Sequence, residues 1–119
     1  MIARMWHGVT LVENSEAFLE YMQNTGVKKC SAAGGNHGVY VLRRRCDAHV
    51  EFIFLTLWET YDSIRIFAGE LIEKPVYFSE DAKYLVELEQ AVKHYDVVVE
   101  QFSPGAGNNV KSDQISSVE

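Results

Sequence analysis

Residues 50–58 read Val50-Glu51-Phe52-Ile53-Phe54-Leu55-Thr56-Leu57-Trp58, a run that is apolar on both alternating faces. Side chains of a strand point to opposite sides with period two. Phe52, Phe54 and Trp58 therefore share one face, and Ile53, Leu55 and Leu57 share the other. A half-buried strand alternates apolar with polar residues, so this one has to be covered twice. A chain of 119 residues with few helical segments meets that demand by placing helices on one face and the sheet of a second copy on the other. The stretch predicts a homodimer before any chemistry is considered.

The neighbouring segments supply the rest of the layer. Residues 2–10 alternate around aromatic and β-branched positions and read as a first strand. Glu13-Asn14-Ser15 offers an N-cap, and Phe18, Tyr21, Met22 and Thr25 follow at helical spacing with one buried stripe. Gly26 is a candidate C-cap, with the pattern also able to run on to Cys30, and Gly34-Gly35-Asn36 is a break. Val39 to Arg43 reads as a second strand, joined to the third by a turn at Cys46-Asp47-Ala48, with His49 in that turn. Thr60 caps a helix that buries Ile64, Phe67 and Ala68 and closes at Gly69. Ser79 caps a short helix to about Glu89, burying Tyr84, Leu85 and Leu88. Residues 93–101 give the last strand. The order β-α-β-β-α-β predicts an α+β, ferredoxin-like antiparallel sheet with helices on one face.

The bulk numbers narrow the function. Hydrophobic residues make up 47% and charged residues 24%, an ordinary globular composition, and the length suits one domain. We read that domain as 1–101, followed by a polar tail or arm at 102–119. Net charge is −6, which opposes the phosphate electrostatics behind nucleic-acid binding. The short Arg43-Arg44-Arg45 run does not reverse that. No apolar run approaches the length of a membrane span. The chain enters a strand pattern at once, with no charged-then-apolar leader, and Cys30 and Cys46 have no CxxC partner; the expectation is a cytoplasmic protein with free thiols.

Met1-Ile2-Ala3-Arg4-Met5-Trp6-His7-Gly8, Tyr40-Val41-Leu42-Arg43-Arg44, Leu57-Trp58-Glu59-Thr60, Ile64-Arg65-Ile66-Phe67-Ala68-Gly69-Glu70 and Val92-Lys93-His94-Tyr95-Asp96-Val97 together resemble the antibiotic biosynthesis monooxygenase-like family of the dimeric α/β-barrel superfamily. The resemblance covers roughly residues 1–100. It implies a dimeric α/β barrel and, in one branch of the family, oxygenation of a phenolic substrate without a cofactor. Quinone-forming members use a Trp at the end of the third strand, matched here by Trp58, and an Asn four residues earlier, where this chain has Phe54. Haem-degrading members carry an axial His on the following helix. Ser63 to Leu71 contains Arg65 but no His, which disfavours haem degradation; haem binding, a third reading, lacks its expected axial ligand.

The residues themselves leave several roles open. No pair among His7, His37, His49 and His94 has metal-ligand spacing, so no metal site is expected. No flavin or nicotinamide motif is present, and no cofactor is expected. His94 and His7 are the candidate acid or base groups, each also readable as a hydrogen-bonded structural residue. Trp58 can stack a flat ligand or simply fill the core, and Trp6 adjoins His7 on the first strand. Tyr77 and Tyr84 belong to a segment able to roof a cleft between helices and sheet. Gly34-Gly35-Asn36-His37-Gly38 does not join a strand to a helix and reads as a turn rather than a phosphate cradle. Two functions follow. One is a cofactor-independent monooxygenase acting on a small aromatic phenol or hydroquinone, with Trp58, Tyr77, Tyr84 and Trp6 around the substrate. The other is a non-catalytic homodimer that binds a small ligand or a partner.

Overall fold

The doubly apolar run becomes β3 (His49–Trp58), an interior strand flanked by β2 (Asn36–Cys46) and β1 (Ile2–Leu11). In the computed structural model, which describes residues 1–104, β4 (Lys93–Asp96) pairs with the other edge of β1. The sheet is antiparallel throughout, in the order β2-β3-β1-β4. Trp6 faces Phe54 and Arg4 faces Thr56 across the β1–β3 ladder. This register puts Ile2, Arg4, Trp6 and Thr10 on the same side as Val50, Phe52, Thr56 and Trp58, and all of them are buried. Ile53, Leu55 and Leu57 face the other way and are half-buried, as the alternation requires. The ferredoxin-like α+β arrangement expected from the sequence is the observed one.

Helices cover the first face. α1 (Ser15–Met22) continues through a wide turn of π geometry at Gln23–Val27 into α2 (Lys28–Ser31). Gly26 is thus not a cap: it is buried inside the helix, where a Cβ would lie 3.4 Å from the Phe54 ring. The chain turns later, at Gly35, whose φ of 84° and closeness to Ser63 (2.4 Å from a would-be Cβ) leave room for glycine alone. α3 (Tyr61–Ala68) starts as expected: Thr60 Oγ1 accepts from the Ser63 amide at 3.1 Å, and Ser63 Oγ accepts from the Thr60 amide at 3.3 Å. Gly69, at φ 97°, ends it.

The strand and helix limits differ from the sequence reading in instructive ways. α4 (Asp81–Tyr84) is a single turn and does not reach Glu89. Leu85 instead bridges Thr10, and the Val86 amide donates to Val9 O at 2.8 Å. The edge of β1 beyond β4 has unpaired backbone groups, and satisfying them outweighs another helical turn. Leu85 is buried as expected, whereas Leu88 is 38% exposed. β4 stops at Asp96 rather than 101 because its partner β1 begins at Ile2, opposite Asp96. β2 is longer than Val39 to Arg43 because β3 continues opposite it as far as Trp58. His49 pairs with Cys46 and Leu11 inside the sheet, so the turn is left to Asp47 (φ 55°) and Ala48.

Two buried clusters fill the space between sheet and helices. One gathers Trp6, Phe18, Met22, Val50, Phe52, Leu85 and Val92, and the other Ile2, Cys30, Trp58 and Ile64. Among the described residues nothing covers the opposite face: Tyr40, Leu42 and Tyr95 are each about half exposed. Among the described residues no helix is long and apolar enough to cross a membrane. The tail expected over 102–119 lies, from residue 105 onward, outside the described residues.

Candidate functional site

A cleft opens where the two clusters meet, between the helical face of the sheet, the wide turn at Gln23–Val27 and the segment 76–78. Its free space is about 50 Å³. Six aromatic rings line it, those of Trp6, Phe18, Phe54, Phe67, Tyr77 and Phe78, together with Met22, Val76 and Val92. Polar atoms come from Arg4, Thr25, Cys30, Thr56, Tyr77 and Asp81. A mostly apolar wall with a few converging polar groups is the ordinary composition of a small-molecule site. The space takes a few waters or part of one ring as it stands.

Tyr77 is fixed from both sides. The Trp6 indole Nε1 donates to its hydroxyl at 3.0 Å, and that hydroxyl donates to Glu89 O at 2.9 Å. The pair ties β1 to the segment that roofs the cleft, and burial pushes the Tyr77 phenol above its ordinary range. Trp6 can lie flat along the strand because residue 8 is glycine: a Cβ there would come within 2.1 Å of the indole.

Arg4 is the only basic residue in the lining and is 6% exposed. It donates to Ile72 O at 2.6 Å, to Lys74 O at 3.1 Å and to His94 Nε2 at 3.1 Å. A guanidinium has no acceptor, so the ring nitrogen facing it carries no proton and His94 is the neutral Nδ1–H tautomer. Burial and the Arg4 charge both hold the His94 pKa below its usual value. Burial likewise lowers that of Arg4. Among the described residues no carboxylate lies within 4 Å of Arg4, although five arginine or lysine pairs with carboxylates form elsewhere. Burial pushes the Cys30 thiol up to about 12, so it stays protonated. Asp81 Oδ2 accepts from the Phe78 amide at 2.6 Å, while burial raises the pKa of that carboxyl.

The residues singled out in the sequence fall into three places. Trp6 and Tyr77 line the cleft. Trp58 and His94 stand one layer behind it. Trp58 is fully buried, donates from Nε1 to Thr56 Oγ1 at 2.8 Å and packs on Phe67 at 5.2 Å, so it supports two lining residues. Tyr84 packs on Phe18 and Tyr21 away from the opening. His7 is on the uncovered face of the sheet, bonded to Glu51 at 2.7 Å and 4.0 Å from Glu89. The two candidate histidines therefore do not meet. Arg4, Cys30, Asp81 and the Thr25-Gly26 turn escaped the sequence reading. For Arg4 a signal was available: it stands in the inward phase of Ile2-Arg4-Trp6-Gly8-Thr10, where a charge has no solvent.

No protein-family model matches the chain, and no curated protein does. A solved structure named as a putative antibiotic biosynthesis monooxygenase from Nitrosomonas europaea aligns over 83% of this chain and 100% of its own, with a TM-score of 0.60 at 16% identity. A protein of the same naming from Bacillus cereus aligns over 86% and 95%, at 0.56 and 15%. The chain has the antibiotic biosynthesis monooxygenase fold. A point mutant of MhuD carrying two manganese protoporphyrin IX molecules per active site shares it too, over 87% of this chain and 100% of that one, with a TM-score of 0.58 at 11% identity. The cleft of the present chain does not fit a porphyrin: its lining has no histidine, its one thiol stays protonated, and its space is about 50 Å³.

Proposed function

We propose that this protein is a cofactor-independent monooxygenase of the antibiotic biosynthesis type, acting as a homodimer on a small aromatic phenol or hydroquinone. The observation that carries the reading is the cleft itself, six aromatic rings around a few fixed polar groups on a fold used by proteins so named. In such a reaction the phenol supplies its own electrons. A ring C–H is replaced by C=O, one atom of dioxygen enters the ring, and the other leaves as water. Trp6 and Tyr77 orient the ring, and Trp58 steadies Phe67 and Thr56 behind it. His94 is a positioning residue that acts through Arg4. The dimer would close the uncovered face, where Tyr40, Leu42 and Tyr95 stand exposed.

Oxygen uptake by purified protein across a panel of hydroquinones and anthrones tests this. The expected result is uptake with at least one substrate, reduced several-fold in Tyr77→Phe, since a positioning hydrogen bond is worth about 0.5–1.5 kcal/mol. Phe54, where a polar partner would stand, favours the second reading, a ligand-binding dimer without turnover. Thermal stabilisation by aromatic ligands in a folded protein that consumes no oxygen would establish that reading in place of the first.

A further inference from the structure

We infer that the Arg4 end of the cleft is an anion site, and that it takes the ionised oxygen of a phenol. This deepens the reading above and rests on its claim that the cleft holds an aromatic ring.

Among the described residues every hydrogen-bond partner of Arg4 is neutral. Two are backbone carbonyls, those of Ile72 and Lys74, and the third is the unprotonated nitrogen of His94. Dipoles of this kind satisfy N–H groups without cancelling the charge. A buried ion without a counter-ion has lost its hydration with no opposite charge to replace it. A guanidinium has five N–H donors, and three hydrogen bonds are made here, so two donors are left for a ligand. Asp81 does not serve as counter-ion: it forms no pair with Arg4 within 4 Å and spends one oxygen on the Phe78 amide. Nor do the other titratable groups in the wall. Cys30 remains a thiol, and the Tyr77 proton is committed to Glu89 O.

The ligand that completes this arrangement is defined by the rest of the wall. It needs one negative oxygen to meet the guanidinium, because charge-assisted bonds of this kind are about twice as strong as neutral ones. Behind that oxygen it needs a flat apolar body to lie among Trp6, Phe54, Phe67 and Phe78. A phosphate or a short aliphatic acid meets the first demand and not the second. Ionisation also matters to the chemistry, since a phenolate gives up electrons to oxygen far more readily than a phenol. The site that binds the anion is thereby the site that prepares it.

The test is to titrate the protein with 4-nitrophenol, whose anion is coloured, at a pH where the free dye is almost all neutral. Nitrobenzene is titrated in parallel as the same ring without an ionisable oxygen. The expected result is the coloured form on binding, with the bound dye ionising at least about 1 pH unit lower than the free dye, a tenfold effect. Nitrobenzene binds correspondingly more weakly, and Arg4→Gln loses the colour change. If Arg4 merely fastens residues 72–74, the bound dye stays neutral and nitrobenzene binds as well as it does. That outcome overturns the anion site and leaves the aromatic cleft standing. Failure of both rings to bind overturns the two together. Should Arg4→Gln not fold, the comparison of dye with nitrobenzene on the native protein still decides.

Discussion

Arg4 and His94 show how one residue sets the charge state of another. The guanidinium forces an unprotonated nitrogen toward itself, and burial with that positive charge lowers the His94 pKa; Glu73 works against this, and the Tyr61 ring lies 6.1 Å away. A histidine whose pKa is depressed on folding adds stability that is present above its unfolded value, about 6.5, and is lost as pH falls through the folded value. The melting temperature should therefore fall more steeply below about pH 6.5 in the native protein than in His94→Gln. Parallel slopes in the two proteins would remove the argument. Trp58 makes a prediction of a different kind. Truncating a fully buried indole costs about 3–5 kcal/mol, against a total domain stability of about 5–15 kcal/mol. Urea unfolding of Trp58→Ala should show that loss, whereas Trp58→Phe, losing chiefly the bond to Thr56, should lose about 1 kcal/mol beyond its smaller packing. Activity comparisons at this position are meaningful only with the second variant.

At the scale of elements, the wide turn at Gln23–Val27 is what gives the cleft its depth on the helical side, because it places Gly26 opposite Phe54. A Cβ at Gly26 meets the Phe54 ring at 3.4 Å, ordinary contact, and alanine is favoured over glycine in a helix by about 0.5–1 kcal/mol. Gly26→Ala should raise the melting temperature and weaken ring binding at the same time; tighter binding in the variant would place the ligand elsewhere. The turn was not legible in the sequence. Phe18, Tyr21 and Met22 mark the buried stripe equally well whether the helix then continues, widens or stops. The strands were more legible, since alternation from Val50 to Trp58 sets both faces without reference to anything distant. Where expectation and structure part, the cause is a partner far along the chain. Tyr84, Leu85 and Leu88 have helical spacing, but the free edge of β1 captures Leu85 and Val86. Within the site, Trp6 and Tyr77 were readable as aromatics near a roof. The pairing of Arg4 with His94 was not, because it joins residues ninety positions apart.

For the whole molecule, the uncovered sheet face is the dominant fact. Tyr40, Leu42, Ile53, Leu55, Leu57 and Tyr95 lie on it beside the polar Arg44, Glu51 and His7, which bond among themselves. We expect sedimentation at micromolar concentration to give the mass of two chains, and Leu55→Lys to give that of one. A native monomer under those conditions would sink the proposed dimer. The strand order carries a further consequence, for synthesis. β1 is made first yet sits in the interior, held by β3 on one side and by residues 85–96 on the other. The β2–β3 hairpin can close across its two-residue turn as soon as it leaves the ribosome, but the second edge of β1 waits for almost the whole described chain. Non-local pairing of this kind slows folding, and an unpaired edge is a template for other chains. The nascent protein therefore passes through a stage with a complete hairpin, an open first strand and an Arg4 whose carbonyl partners have only just emerged, and it is at that stage that the chain most needs a chaperone.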